Sequence, residues 1–292
     1  MTSTGDNAME AAHGATAPSA APRAPLKLYW WNGEPNFGDA ISQIVTAHVS
    51  GREVEWAAPK ECDLFAVGSI LLFARRAHGG AGQGYSPWVW GSGCIGPQRI
   101  DFVKNVRFAA VRGPLTATQL GIDCWTFGDP GLLIADAMGE TIEPGGRIGV
   151  VPHHSHSRAD WVRDLFEGDD RFLLIDPSSE NPRDVVRQIA SCRYVLSSSL
   201  HGLIVADSYG IPNTWITPKF NHGTPFQKFF DYALSVGRIM ERPLEYREIL
   251  GFVDRGVPDE FSYGDNIAAV KRTIASAFPD ELRAAPRGVG EP

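Results

Sequence analysis

Short apolar runs that close in Gly, Ser or Asp, each followed by a stretch with apolar residues three and four apart, recur along most of the chain. LKLYWW (Leu26 to Trp31) has the character of a strand. NFGDAISQIVTAHVSG has that of a helix, with Ile41, Ile44, Val45 and Val49 at helical spacing and Gly51 as its stop. DLFAVGSIL and PWVWGSGCIG predict two further buried strands whose carboxyl ends open into Gly/Ser turns. VRFAAVRGPLTATQLGI repeats the plan with a strand through Val111, a turn at Arg112 and Gly113, and a helix started by Pro114 and stopped by Gly121. Another strand is expected in CWTFGDPGLLIAD, ending in the Gly-Asp-Pro-Gly turn.

The pattern breaks over GETIEPGG (Gly139 to Gly146), where a domain boundary is placed. Beyond it RIGVVPHHSHS and RFLLID predict strands, and PRDVVRQIASC predicts a helix with Val185, Ile189 and Cys192 on one face. A strand in RYVLS, a helix from Leu200 to Tyr209 and a strand in NTWIT follow. PFQKFFDYALSVG predicts a helix with Phe226, Phe229, Phe230, Ala233 and Leu234 on its apolar side. After Met240 the pattern gives one amphipathic helix, near Asn266 to Phe278, and a frayed end. Strands alternating with helices in both halves predict an α/β fold of two Rossmann-like lobes with parallel sheets and a cleft between them. The expected organisation is a disordered tail over 1–25, an N-terminal lobe over 26–143, a C-terminal lobe with the donor site over 144–245 and a helical extension over 246–292.

Composition narrows the function classes. With 43% hydrophobic and 21% charged residues over 292 positions, the chain has the balance of a globular protein with room for a sizeable core. No apolar run approaches the ~18 to 20 residues that cross a bilayer. The Ala/Pro-rich N-terminus lacks the basic start and apolar stretch of a secretory signal, so a cytoplasmic location is expected. A net charge of −7 argues against a nucleic-acid partner while leaving room for a local basic pocket. Cys62, Cys94, Cys124 and Cys192 are scattered without a C-x-x-C pair, as for reduced structural thiols.

In open parallel sheets, ligands sit beyond the carboxyl ends of the strands, where helix N-termini offer free N–H groups and the positive end of a dipole. Four stretches place polar residues there: NFGD (Asn36, Gly38, Asp39), GSG (with Gly93), RGP (with Arg112) and SSSLHG (Ser197, Ser198, Ser199, Leu200, His201). None is a P-loop, and GSGCIG matches a dinucleotide fingerprint only as a string, since no helical run follows it. His201 is either a helix-cap histidine or, beside an anion held by the serines and the helix start, a general acid. Arg112 reads as a surface cation or as a phosphate or carboxylate clamp. Asp39 reads as a helix cap or as a base. HHSHS (His153, His154, His156) lacks an Asp, Glu or Cys partner pattern, so it reads as a solvated or acceptor-side loop and no metal or other cofactor is expected.

NFGDAIS, VGSIL, GSGCIGP, VRGPLTATQLGI, FGDPGLL, SSSLHGLIVADSYGIP and KFFDYALSVGR, in this order and at these intervals, resemble the polysaccharide pyruvyl transferase family, in particular the bacterial exopolysaccharide ketal-pyruvate transferases. The resemblance implies a GT-B-like two-lobed fold. It also implies transfer of the enolpyruvyl unit of phosphoenolpyruvate to two hydroxyls of a glycan sugar, leaving a pyruvate ketal and free phosphate. The family's donor-binding Arg corresponds to Arg112 and its Leu-His pair to Leu200 and His201. Many relatives carry an Arg where Ser199 stands, so other cations must meet part of the donor's charge, with Lys219 and Arg193 as candidates. A lipid-linked oligosaccharide acceptor at the inner face of the membrane is implied as well. Two other readings stay open: a nucleotide-sugar glycosyltransferase on the same architecture, and a non-catalytic glycan-binding protein.

Overall fold

The computed structural model describes residues 23–82, 84–217 and 226–284. The first half contains β1 (Leu26–Tyr29), α1 (Phe37–Ser50), β2 (Val54–Trp56), β3 (Leu64–Phe65), α2 (Leu71–His78), β4 (Trp88–Trp90), β5 (Arg107–Ala110), α3 (Pro114–Leu120) and α4 (Ile134–Met138). The second contains β6 (Ile148–Val151), α5 (Asp160–Phe166), β7 (Phe172–Leu174), α6 (Pro182–Ala190), β8 (Tyr194–Ser197), α7 (Leu200–Ser208), β9 (Asn213–Thr217), α8 (Gln227–Ser235), β10 (Leu244–Glu245), α9 (Tyr246–Asp254) and α10 (Gly264–Ser276). The strands form two five-stranded sheets, in the orders β2-β1-β3-β4-β5 and β10-β9-β8-β6-β7. Every pairing is parallel. The protein is therefore a two-lobed α/β structure, as its alternating pattern predicts.

Local chemistry sets the element ends nearest the site. Asn36 caps α1 through its side-chain oxygen, and Gly51 closes the helix in the left-handed region at φ 66°. Gly113 precedes Pro114 at the first position of α3, and Gly121 at φ 62° ends it. The lobes are not separate bodies. One continuous core joins Leu28, Ile41 and Val67 of the first to Val151, Ile189 and Val205 of the second.

The C-terminal part returns to the first lobe. Trp90 donates its indole N–H to the carbonyl of Ile274 at 2.8 Å, and Phe278 packs edge-on against the same ring at 4.9 Å. Arg23 reaches the carbonyl of Arg283 at 2.8 Å, and the carbonyl of Ala24 accepts from Arg52 Nε at 3.2 Å. Ordered packing thus already includes Arg23 and Ala24, inside the segment expected to be a tail.

Three expectations change. The strand expected in CWTFGDPGLLIAD is a single bridge between Val111 and Phe127, with Trp125 82% exposed. There the chain turns at Gly128 and enters a 3₁₀ turn, Pro130–Leu133, which Asp129 caps by accepting from Gly131 N at 2.9 Å. Three helices, α2, α4 and α5, appear where none was expected, and the C-terminal extension holds a second helix, α9, started by a reciprocal capping box between Glu245 and Glu248. Finally, the buried side of α8 is formed by Phe229, Asp231, Tyr232 and Ala233, while Phe230 (39% exposed) and Leu234 (55%) face outward. Tyr232 faces inward because its hydroxyl donates to the buried Asp207 at 2.6 Å, and Asp231 does so through the contacts described below.

Candidate active site

The β8–α7 turn is built by its own serines. Ser197 Oγ lies 2.9 Å from the carbonyl of Val151 and 2.8 Å from that of Ser199, and accepts from Ser199 N at 3.0 Å. Ser198 Oγ accepts from His153 N at 2.8 Å. Both hydroxyls are committed to holding the turn and the adjoining β6 loop. Leu200 is buried in the core. Gly202 lets α7 seat on β8, since a Cβ there would fall 2.2 Å from Ser197 Oγ. Of the three serines, Ser199 alone lines the cavity described next; it occupies the cap position of α7 without a side-chain cap bond.

That cavity, about 270 Å³, is lined from the first lobe by Asn36, Asp39 and Ser69 and from the second by Ser199, His201 and Lys228. Trp31 and Phe73, stacked at 5.2 Å and 25°, add an aromatic wall. Asn36 Nδ2 donates to Asp39 Oδ2 at 2.6 Å, so the cap of α1 also orients the carboxylate. The His201 ring rests on Gly38, where a Cβ would lie 2.0 Å from its Nδ1. Gly68, at φ 107°, backs both groups: a Cβ there would lie 3.0 Å from Asp39 Oδ1 and 4.0 Å from His201 Cε1. His201 Nε2 is buried and has no hydrogen-bond partner among the described residues. An enclosed polar nitrogen of this kind costs stability unless a ligand meets it.

The electrostatics follow from burial. Desolvation raises the Asp39 carboxyl to about 7, against the hydrogen bond from Asn36 and the charge of Lys228. Burial lowers the Lys228 ammonium to about 8, helped by Arg112 and opposed by Asp39. His201 is pushed down to about 3 by burial and then by Lys228, Arg112 and His153. The cavity therefore holds a neutral imidazole, an ammonium and a carboxyl poised near neutrality, with positive potential from two sides.

Arg112 is placed differently from a surface clamp. Its side chain is 0% exposed; Nε donates to Asp231 Oδ2 at 3.1 Å, Nη1 to Ser69 Oγ at 2.6 Å and Nη2 to the carbonyl of Cys94 at 2.7 Å. Asp231 also accepts from Thr116 N at 3.0 Å and Thr116 Oγ1 at 2.7 Å. Gly93 makes room for the guanidinium, because a Cβ there would lie 2.2 Å from Arg112 Cζ. Three of its N–H groups are thus spent inside the protein, and the charge acts on the cavity across Ser69.

The remaining candidates separate. Lys219 lies outside the described residues. Arg193 donates to the carbonyl of Gly146 at 2.9 Å, at the amino end of β8 and so away from the cavity at its carboxyl end. His153 and His154 line the cavity, and the rings of His153 and His154 lie 4.2 Å apart. Among the described residues no group of three or more His, Cys, Asp or Glu is arranged to hold a metal ion. All four cysteines are free and buried. Lys228 escaped sequence reasoning; the signal available was a lone cation inside the apolar run PFQKFF.

A family model for polysaccharide pyruvyl transferases matches residues 32–219. The chain belongs to this family. It is similar to the succinoglycan biosynthesis protein ExoV of Rhizobium meliloti (strain 1021), 28% identical over 73% of this chain and 65% of that protein. It is also similar to the uncharacterized protein L143 of Acanthamoeba polyphaga mimivirus, 35% identical over 44% of this chain and 47% of that protein. The matches thus span between about half and two thirds of the relatives' own lengths. A solved structure of an uncharacterized Klebsiella pneumoniae protein covers 75% of this chain and 93% of its own, at 12% identity and a TM-score of 0.41.

The region matched as pyruvyl transferase contains Asn36, Asp39, Arg112, Ser199 and His201, and it ends before Lys228 and Asp231. The helix α8 that completes the cavity and grips Arg112 is therefore supplied from beyond the matched stretch. No helix among the described residues is long and apolar enough to cross a membrane.

Proposed function

We propose that the protein transfers the enolpyruvyl unit of phosphoenolpyruvate to two hydroxyls of a glycan sugar, forming a pyruvate ketal and releasing phosphate, in the synthesis of an exopolysaccharide or cell-surface glycan. The observation that carries the proposal is the meeting of Lys228, His201 and Asp39 in one cavity at the start of α7, in a chain of this family. Phosphoenolpyruvate brings a phosphate and a carboxylate, and it becomes electrophilic at C2 once C3 is protonated. It needs anion recognition and a positioned acid.

Lys228 and the free N–H groups at the N-terminus of α7 meet the donor's charge, with Lys228 supplying the cation that an Arg at the Ser199 position would otherwise provide. Arg112 contributes its potential from behind Ser69 and holds α8, and with it Lys228 three residues before Asp231, in place. Before the donor binds, burial and then the surrounding charges of Lys228 and Arg112 keep His201 neutral. The donor's phosphate and carboxylate charges oppose both effects, so the imidazole takes up a proton with the donor and delivers it to C3. Asp39, held near neutrality, buffers that proton in the same enclosed space.

The test is phosphate release from phosphoenolpyruvate in the presence of a panel of glycosides and oligosaccharides, with mass spectrometry of the products. A product heavier by one carboxyethylidene unit, formed with an equivalent of phosphate, is expected. Saturable stabilisation by UDP-sugars, with none by phosphoenolpyruvate, points instead to a glycosyltransferase and overturns the proposal.

A further inference from the structure

Ketal formation needs more than an acid. Two sugar hydroxyls lose their protons: one replaces the proton delivered to C3, and the other departs with phosphate. A group that accepts a proton from an attacking hydroxyl must be unprotonated at the accepting atom and within the cavity; with Asp39 assigned to the acid's proton, the imidazoles remain. Three histidines on the loop after β6 lie near enough to compare. His153 has its Nδ1 engaged with Ser155 Oγ at 2.8 Å and faces no carboxylate. His156 does not line the cavity, and its Nδ1 is buried without a partner among the described residues. His154 lines the cavity, retains 23% of its side-chain surface for contact with a substrate, and turns Nδ1 toward Glu34 Oε2 at 3.4 Å.

We propose, on the footing of the pyruvyl transfer described above, that His154 is the general base for the acceptor hydroxyl and that Glu34 is its positioning residue. Glu34 belongs to the loop before α1 and His154 to the loop after β6, so the pair links the two lobes at His154, a residue of the cavity wall. The negative charge of Glu34 beside Nδ1 favours the proton on that nitrogen and leaves Nε2 as the basic one. In the step, the O–H bond of the sugar breaks and its proton passes to Nε2. The oxygen's electron pair forms the C–O bond to the C2 carbon made electrophilic by protonation of C3. The groups that face His154 are Glu34, Lys228, His153 and His156. Burial lowers the imidazole's pKa first, Lys228 lowers it further and Glu34 raises it, so the ring is neutral and basic at neutral pH. The division of labour is then spatial, with the acid on α7 and the base on the adjoining β6 loop.

Three variants test this: His154→Gln, His154→Gly and Glu34→Gln. Phosphoenolpyruvate and the methyl glycosides of glucose, galactose and mannose serve as substrates, and calorimetric titration measures donor binding. Donor affinity in all three is expected to stay within about threefold of the starting protein. Turnover in His154→Gln is expected to fall by about 10²- to 10⁴-fold, and imidazole is expected to restore part of the turnover of His154→Gly. Glu34→Gln is expected to move the acid limb of the pH profile of kcat/KM for the glycoside to lower pH, because the charge that raised the imidazole's pKa is gone. Independently of turnover, long-range ¹⁵N imidazole spectra are expected to show His154 with the proton on Nδ1, and to show that bias lost in Glu34→Gln. Turnover of His154→Gln within threefold of the starting protein, no rescue by imidazole, or a proton on Nε2 overturns the base assignment while leaving pyruvyl transfer standing. Absence of phosphoenolpyruvate binding by the unsubstituted protein overturns both.

Discussion

Arg112 and Asp231 form an ion pair at 3.1 Å with both side chains at 0% exposure, and they come from different lobes. Asp231 is satisfied further by the backbone and hydroxyl of Thr116, and Gly113 packs so closely on it that a Cβ would fall 2.0 Å from the Asp231 carbonyl. Removing one partner leaves a buried charge without its counter-charge, which costs about 3–5 kcal/mol. Arg112→Ala is therefore expected to lower the unfolding free energy by that amount, measured by urea denaturation, and Arg112→Lys to recover little of it because the planar fork is lost. A stability within 1 kcal/mol of the parent would mean that the pair is dispensable.

Lys228 carries the prediction about donor binding. Lys228→Met keeps most of the side chain's length and apolar packing, including the contact beside Phe229, and removes the charge. A charge-assisted hydrogen bond worth roughly 1.5–3 kcal/mol corresponds to a loss of phosphoenolpyruvate affinity of about 10- to 100-fold. Calorimetry decides it, and an unchanged Kd removes Lys228 from the donor site.

For His201 the expected signature is protonic. The ligand-free imidazole is neutral, and the donor's negative charge raises its pKa, so binding near pH 6.5 is expected to take up protons in calorimetry across buffers of different ionisation enthalpy. His201→Asn is expected to abolish that uptake and to lower turnover by about 10²- to 10⁴-fold. Uptake unchanged in the variant would assign the proton to another group.

Asp39 ties stability to pH. Its carboxyl rises from 3.8 to about 7 on folding, so between those values the folded protein binds a proton that the unfolded chain has lost. That contribution is complete below about pH 4 and disappears as pH rises through 7. Asp39→Asn, which leaves a hydrogen-bonding amide beside Asn36, is expected to gain stability relative to the parent as pH is raised from 5 to 8. Urea melts at both pH values check the sign; a difference that shrinks with rising pH contradicts it.

Gly38 is the tightest point of the His201 contact. Gly38→Ala places a methyl group 2.0 Å from Nδ1, so either the imidazole or the start of α1 must move. Overpacking of this kind costs about 1–3 kcal/mol. Turnover is expected to fall at least tenfold, with a melting point lowered by only a few degrees, as measured by scanning calorimetry and phosphate release.

Much of this arrangement is legible in the residues themselves. Asn36 and Gly51 delimit α1, Pro114 and Gly121 delimit α3, and the apolar stretch after Ser199 delimits α7, because caps and stops are local chemistry. The position of His201 at a strand-to-helix turn follows from the same local signals. Periodicity misleads where tertiary partners decide. The side of α8 that carries Phe230 and Leu234 is apolar enough to be read as core, yet Asp231 and Tyr232 turn inward because Arg112, Thr116 and Asp207 await them. The same absent partners make Arg112 look like an exposed clamp and hide Lys228 altogether, since each role depends on a residue more than a hundred positions away. The pattern of α2 is weak because Arg75 and Arg76 interrupt an otherwise helical spacing of Leu71, Ala74 and Ala77.

The hydrogen bonds from Arg23 to the carbonyls of Glu281 and Arg283 bring the two ends of the described chain within one side chain's length of each other. Order along the polypeptide and order in space are thus separable in this protein. A circular permutant joined by a short linker between Ala284 and Arg23, and reopened in the exposed connection between Thr141 and Pro144, would cut no strand or helix and would translate the second sheet first. The buried pair of Arg112 and Asp231 would then close a loop through the new junction instead of through β6, so the kinetics of lobe docking would change while the folded cavity stayed the same.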